Sequence, residues 1–331
     1  MNRFSYIRPR DVVDAAFRAE HHPLAQFIAG GTNLVDLIKE NVARPVSLID
    51  LNRLAMREIK ATRSNGLEVG ALVSNSDVAY DERIRARYPL LSEAILAGAS
   101  AQIRNVATVG GNLLQRTRCS YFYDTSTPCN KREPGSGCAA IEGVNRMHAI
   151  LGASEHCIAV HPSDMCVALA ALDAVVHVQG VRGKRMLPIT AFHRLPGHAP
   201  EIDTELGHDE IVTSVELPER GYSTHYAYLK MRDRASYAFA LVSVALGVEL
   251  EGNIVRDVRC ALGGVASKPW RDTSLEIDLR GKSLDSRHVR AFAHDMVRDA
   301  KGYRGNAFKI ELAQRMIVRA FEQATQRSLE N

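Results

Sequence analysis

Six cysteines stand in the sequence, and four of them (Cys119, Cys129, Cys138 and Cys157) fall within 39 residues. Thiolates gathered in this number are ligands for soft metals or partners in a redox couple. Their spacing is Cys-x9-Cys-x8-Cys-x18-Cys. Structural zinc sites usually use Cys-x2–4-Cys knuckles and bacterial ferredoxins use Cys-x2-Cys-x2-Cys, so neither pattern is matched. Iron–sulfur ligation requires four sulfurs but no single spacing. Three readings therefore stay open here: an iron–sulfur cluster, a zinc ion, or unrelated redox thiols. A disulfide scaffold is disfavoured, because such chains are short, secreted and denser in cysteine. Arg116, Arg118, Lys131 and Arg132 flank Cys119 and Cys129 and could offset the charge of a thiolate-bound cluster. Gly135 and Gly137 could turn backbone N–H groups toward sulfur. Cys166 and Cys260 lie in apolar stretches and read as small buried hydrophobes.

A second candidate chemistry lies in two double-glycine turns, Ala29-Gly30-Gly31-Thr32-Asn33-Leu34 and Val109-Gly110-Gly111-Asn112-Leu113-Leu114. Glycine permits a positive φ and lets a ligand approach where a Cβ would stand. Consecutive N–H groups beside a helix start make an anion-binding concavity, and Thr32, Asn33, Thr108 and Asn112 could add side-chain donors. One such turn is ordinary loop punctuation; two together suit a pyrophosphate-bearing dinucleotide. Neither fits G-x-G-x-x-G or the Walker pattern. Asp164 stands where a helix should begin, so a capping role competes with a hydrogen bond to a ribose. Lys230 reads on its own as a solvated strand lysine. The twelve histidines show no metal-binding spacing, and no Gly-x-Ser-x-Gly elbow is present.

These residues need elements to position them. Residues 4–7, 26–29 and 46–51 read as strands, with helices at 11–20 and 33–39 between them, which predicts a small parallel βαβ layer. Strands are expected at 57–62, 67–72, 146–152, 174–179 and 211–217, and helices at 77–87, 90–99 and 163–172. Residues 117–143 have no period and read as a loop held by whatever it binds. After about residue 221, three strands (224–231, 239–250 and 254–265) precede helices at 286–300 and 306–325, the order of an α+β unit.

A chain of 331 residues with 46% hydrophobic and 24% charged residues should form two or three domains. A net charge of +4 excludes an acidic disordered tail and argues against a nucleic-acid binder. The longest apolar run, residues 238–250, is too short to cross a bilayer, and the first residues lack the apolar core of a secretory signal. A soluble chain with no membrane contact and no signal of its own is expected.

Four stretches, QFIAGGTNL (26–34), IRNVATVGGNLLQ (103–115), HPSDMCVALAALDA (161–174) and YLKMRDRASYAFALVSVA (228–245), resemble the FAD-binding medium subunit of the xanthine dehydrogenase family of molybdenum hydroxylases. RTRCSYFYDTSTPCNKREPGSGCAA (116–140) is similar to an insertion found in the flavin subunits of bacterial three-subunit aldehyde oxidoreductases, which carry an extra [4Fe–4S] cluster. The resemblance implies an α+β chain. Its flavin domain would span 1–220, with subdomains 1–55 and 56–220 and an iron–sulfur loop at 116–157. A small α+β domain with a three-stranded antiparallel sheet would span 221–331. It implies that FAD lies against Gln26, Phe27, Ile28, Ala29, Gly30, Gly31, Thr32, Asn33 and Leu34, with Thr108, Gly111 and Asn112 at the pyrophosphate. Asp164 would face the ribose or adenine, Lys230 would lie near the flavin, and Ile150 and Leu151 would pack against the isoalloxazine. Cys119, Cys129, Cys138 and Cys157 would ligate the cluster.

By the same resemblance the partners are a small [2Fe–2S] subunit and a large molybdopterin subunit, and aldehyde oxidation occurs on the latter. The loop Arg232-Asp233-Arg234-Ala235-Ser236-Tyr237-Ala238 replaces a more acidic one in NAD-reducing relatives. A ferredoxin-like protein or dioxygen is therefore the expected acceptor. The compartment is the cytoplasm, or the periplasm if the complex is exported on a partner's twin-arginine signal. Two rivals remain: an assembly subunit whose cysteines hold structural zinc, and a free-standing FAD oxidase.

Overall fold

The structure, a computed structural model, describes residues 2–329. The chain opens with β1 (Ser5–Ile7), α1 (Val12–His21), β2 (Ala25–Ile28), α2 (Leu34–Lys39) and β3 (Ser47–Asp50). The sheet order is β1-β3-β2 and both pairings are parallel, the βαβ layer that the sequence predicts. Asp11 starts α1 by accepting the Asp14 N–H at 2.8 Å. Ala15, Ala16 and Ala19 form its buried face, small enough for the helix to lie close on the sheet.

Next come β4 (Ile59–Ala61), β5 (Leu67–Gly70), α3 (Asn75–Tyr80), α4 (Glu82–Arg87), α5 (Pro89–Ala97), α6 (Ala101–Arg104), α7 (Val109–Leu113) and α8 (Ser120–Tyr123). They are followed by α9 (Asp164–Ala171), β6 (Val175–Gly180), β7 (Gly183–Pro188), α10 (Ile189–Phe192) and β8 (Ile211–Leu217). The five strands form an antiparallel sheet in the order β4-β5-β8-β6-β7. The single helix expected over 77–87 is two helices. Asp81 takes an extended conformation between them and its carboxylate caps α4 at Arg83 and Ile84.

The last unit holds β9 (Tyr226–Met231), β10 (Val242–Glu251), β11 (Ile254–Gly263), α11 (Thr273–Leu279), α12 (Ser286–Asp295) and α13 (Phe308–Thr325). Its sheet is three-stranded and antiparallel, in the order β11-β10-β9. Along α13, Ala313, Met316, Ile317, Ala320, Phe321 and Ala324 recur at helical spacing and are buried. The fold is α+β, as expected. Helix α9 joins the two larger parts: all eight of its residues are buried, and it packs against α5 on one side and β10 and β11 on the other. Beyond Asp164 at its first position the helix is apolar on every face, and such a helix has to lie inside the molecule.

The strand expected over 146–152 is absent. The segment instead runs irregularly into the C-terminal core, where the N–H groups of Ile150 and Leu151 both donate to the Val265 carbonyl. Its apolar residues reflect that insertion and not a strand.

Candidate functional site

The first glycine turn follows directly from β2. Gly31 has φ +71°, and a Cβ on Gly30 would run into the Val106 carbonyl oxygen. Val106 belongs to the segment leading into the other glycine turn, so the two turns are in contact although far apart in sequence. That other turn is built differently: Gly110 and Gly111 lie inside the short helix α7. Thr108 caps the helix by accepting the Gly111 N–H at 3.2 Å.

A cleft of about 700 Å³ opens beside this junction, within the range of cofactor sites. Thr32, Asn33, Gly111, Asn112, Asp164 and Lys230 line it. A smaller cavity of about 410 Å³ shares Thr32, Asn33 and Gly111 with it. That cavity is walled by Gln26, Phe27, Ile28, Ala29, Gly30, Gly31 and Leu34, together with Thr108. Every expected dinucleotide contact except Ile150 and Leu151 thus lines one or other of two adjoining cavities. Those two side chains are buried in the C-terminal core with Val244 and Leu262, off the cleft surface.

Two of the expected asparagines are already oriented through their carbonyl oxygens. Asn33 Oδ1 accepts the Arg116 N–H at 2.8 Å, and Asn112 Oδ1 accepts from Ser163 Oγ at 2.6 Å and Gln115 Nε2 at 2.7 Å. The cap of α9 is Ser163 and not Asp164. Asp164 instead receives Tyr228 OH at 2.5 Å on one carboxylate oxygen and Lys230 Nζ at 2.7 Å on the other. Lys230 also donates to the Ala97 carbonyl at 3.1 Å, so it is a buried, paired lysine on the cleft wall. Burial, helped by Asp164, pushes the Tyr228 phenol well above its ordinary range. Neighbours already fix this trio before any ligand arrives, an arrangement suited to orienting hydroxyl and ring polar groups.

The four clustered cysteines line one further cavity and are all free thiols. Cys119 precedes α8. Cys129 and Cys138 face each other in an isolated antiparallel bridge, and Cys157 pairs in the same way with Ser154. Burial pushes the Cys119 thiol up to about 12, against the pull of the Phe122 and Tyr121 N–H groups. Burial pushes Cys157 up to about 11, with Lys131 pulling the other way. Thiols held this far up stay protonated unless a metal replaces the proton. The Ala159 N–H points at Cys157 Sγ at 3.4 Å, and His148 Nε2 lies 3.1 Å from Cys119 Sγ. Burial, with the Lys309 charge adding to it, pulls the His148 imidazole down to about 4.

The flanking cations divide. Lys131 is buried beside the cavity, bound to the Pro200 carbonyl at 2.6 Å and to Asp203. Arg116 pairs with Asp203, and Arg118 pairs with Asp36 at 3.2 Å. Arg132 is spent on the Tyr121, Phe122 and Thr127 carbonyls of the loop itself. Gly135 and Gly137 take positive φ, but the Gly137 N–H donates to Asn130 Oδ1 at 2.8 Å and not to a sulfur.

Four cysteines lining one cavity are a donor set for soft metals and iron–sulfur centres. Groups of three or more ligand atoms that converge within 4.8 Å occur at His161, Cys166, His193 and at Glu155, His156, His198. The four cysteines form no such group, whereas sulfurs at 2.3 Å from one tetrahedral zinc would stand roughly 3.8 Å apart. The first of those groups is structural. His161 and His193 both direct Nε2 at the Leu113 carbonyl, at 3.3 and 2.8 Å. Thr117 and Cys119 line both the cysteine cavity and the large cleft, so the two sites share a wall. Sequence reasoning missed His148 and Lys309; an isolated histidine in an apolar run gives no signal.

Residues 2–220 match the family described as FAD binding domain in molybdopterin dehydrogenase, and residues 226–324 match the CO dehydrogenase flavoprotein C-terminal domain. The aldehyde oxidoreductase FAD-binding subunit PaoB of Escherichia coli (strain K12) is 48% identical over 325 residues, covering 98% of this chain and 99% of that protein. The glyceraldehyde dehydrogenase medium chain of Sulfolobus acidocaldarius is 27% identical and covers 97% of this chain and 98% of its own. Among solved structures, a carbon monoxide dehydrogenase from Hydrogenophaga pseudoflava superposes with a TM-score of 0.77 at 25% identity, covering 98% of each chain.

Proposed function

Since this chain belongs to the FAD-binding medium-subunit family of the molybdenum hydroxylases, we propose that it is the flavin- and [4Fe–4S]-carrying electron-transfer subunit of a molybdenum-dependent aldehyde oxidoreductase. Membership makes it an FAD-binding subunit of an oxidoreductase complex. The observation that carries the finer reading is the shared wall: four free cysteines line one cavity, and Cys119 also lines the flavin cleft.

Bound FAD supplies two-electron and one-electron acceptance, and an iron–sulfur cluster supplies one-electron transfer. The chain's own residues bind and orient. The Gly30-Gly31 turn presents backbone N–H groups, and Gly111 in α7 a bare Cα, to the diphosphate. Asp164, locked by Tyr228 and Lys230, accepts from a hydroxyl or ring N–H, with Lys230 as its ion-pair partner on the cleft wall. Cys119, Cys129, Cys138 and Cys157 give the four sulfurs, and Lys131 offsets their charge from within the fold.

The reaction at the substrate belongs to a large molybdopterin subunit, with a small [2Fe–2S] subunit delivering electrons. The acceptor is a ferredoxin-like protein or dioxygen. Among the described residues no helix is long and apolar enough to cross a membrane. The complex works in the cytoplasm, or in the periplasm if a partner carries the export signal. The wide sulfur spacing favours this reading over an assembly subunit with structural zinc. Iron and flavin analysis of the complex purified under argon tests it: FAD and four irons per copy of this chain beyond the partners' [2Fe–2S] centres are expected, and no iron beyond those centres overturns it. Stopped-flow reoxidation tests the acceptor, and rapid turnover with NAD would contradict the assignment.

A further inference from the structure

His148 occupies the wall between the two sites. Its Nε2 lies 3.1 Å from Cys119 Sγ, and both residues line the flavin cleft. The backbone of His148 is pinned from several sides. Its carbonyl accepts Lys309 Nζ at 2.7 Å and Asn306 Nδ2 at 3.2 Å, and its N–H donates to the Asn145 carbonyl at 3.0 Å. Lys309 is fully buried and reaches the Gly264 carbonyl at 2.6 Å as well, so α13 and the end of β11 hold the residue together. The other ring nitrogen, Nδ1, is enclosed without a hydrogen-bond partner. A proton on Nδ1 would be a buried donor with no acceptor, whereas a proton on Nε2 meets the Cys119 sulfur.

We propose that His148 is a positioning residue that donates its Nε2–H to the Cys119 sulfur and so sets the potential of the cluster on the side facing the flavin. The proposal rests on Cys119 being a cluster ligand, as in the reading above. A cluster held there would, on taking one electron from reduced flavin, carry more negative charge on that sulfur. No bond breaks and no proton moves. An N–H donor aimed at the sulfur stabilises the reduced form more than the oxidised one, which raises the potential. The contact therefore makes the cluster a better electron acceptor from the flavin.

The test is an anaerobic redox titration of the intact complex, followed by electron paramagnetic resonance for the cluster and absorbance for the flavin. Iron and flavin are assayed on each sample. In His148→Phe, iron content and the cluster signal should persist. The cluster midpoint should move negative by about 59 mV, the equivalent of a tenfold change for a one-electron couple. The flavin midpoint should hold. His148→Gln, which keeps a side-chain N–H, should recover at least half of the shift. An unmoved cluster midpoint in His148→Phe overturns the proposal. Loss of iron from both variants also overturns it, because that marks a packing role. Absence of iron beyond the partners' [2Fe–2S] centres in the unmodified complex is a separate failure, which removes the cluster reading and the proposal with it.

Discussion

The cleft proposed for the flavin draws its walls from residues as far apart as Thr32 and Gly264, whereas the cysteine cavity takes all of its walls from Thr117 to Ala159. The cleft is built on helices and strands whose side chains already satisfy one another: Asp164 with Tyr228 and Lys230, Asn112 with Ser163 and Gln115. The cavity is built on a stretch whose only regular element is α8, with two isolated bridges at its cysteines. The difference teaches which site depends on its ligand. A cleft whose walls already satisfy one another should keep its shape without its cofactor, while an irregular loop that gathers four free cysteines should gain order from what those thiols bind.

The sharpest break between the two sites should come from Cys129→Ser. Losing one of four ligands should remove nearly all the iron in excess of the partners' [2Fe–2S] centres, while flavin per chain stays close to the unmodified value in the same metal and flavin assay. If flavin falls in parallel with iron, the sites are not separable. Gly30→Ala should do the reverse. Its Cβ would collide with the Val106 carbonyl, so we expect a loss of about 1–3 kcal/mol in denaturant unfolding and a weaker hold on FAD, with iron retained.

Lys309, which braces the segment between the sites, should reveal itself through pH. Burial lowers its ammonium from 10.5 to about 7. Between those values the unfolded chain holds a proton that the folded chain has released, so stability rises with pH across that window. Below about 7 both states are protonated and the burial penalty is felt in full. Lys309→Met should lack this slope, as unfolding curves at pH 6 and pH 9 would show; equal slopes in both proteins would count against a buried lysine. The mildest expected effect is Gly111→Ala. Its Cβ would meet only Thr108 Oγ1 at 3.1 Å inside a helix, so stability should change by less than about 1 kcal/mol. FAD affinity should nevertheless drop if the bare Cα makes room for the diphosphate.

How far the sequence could be read follows the same division. The Gly30-Gly31 turn is legible because its positive φ and its contact with Val106 both demand glycine. The Gly110-Gly111 pair has nearly the same local sequence yet is helical, and composition cannot tell the two apart. The cysteines are legible by residue type, since four thiols in a short span have few uses. Their spacing cannot choose the ligand, because the loop that carries them imposes no period. Strand β7 gives no signal because GKRMLP is an exposed edge strand with no apolar alternation. The segment around His148 is legible only as apolar, and its insertion into the C-terminal core depends on Val265 and Lys309, more than 100 residues away. Asp164 reads as a cap because Ser163 and Asp164 are both good caps, and only the placement of Tyr228 and Lys230 decides between them.

The central claim, that one chain carries both a flavin and a four-thiolate iron–sulfur cluster, is tested most directly by composition. The complex should be purified anaerobically, and FAD, iron, acid-labile sulfide and zinc measured per copy of this chain. After subtracting the partners' centres, the account predicts one FAD, four irons and four sulfides, with iron and sulfide lost in Cys138→Ser and FAD kept. One zinc per chain in place of the iron, or FAD with no metal at all, would contradict it.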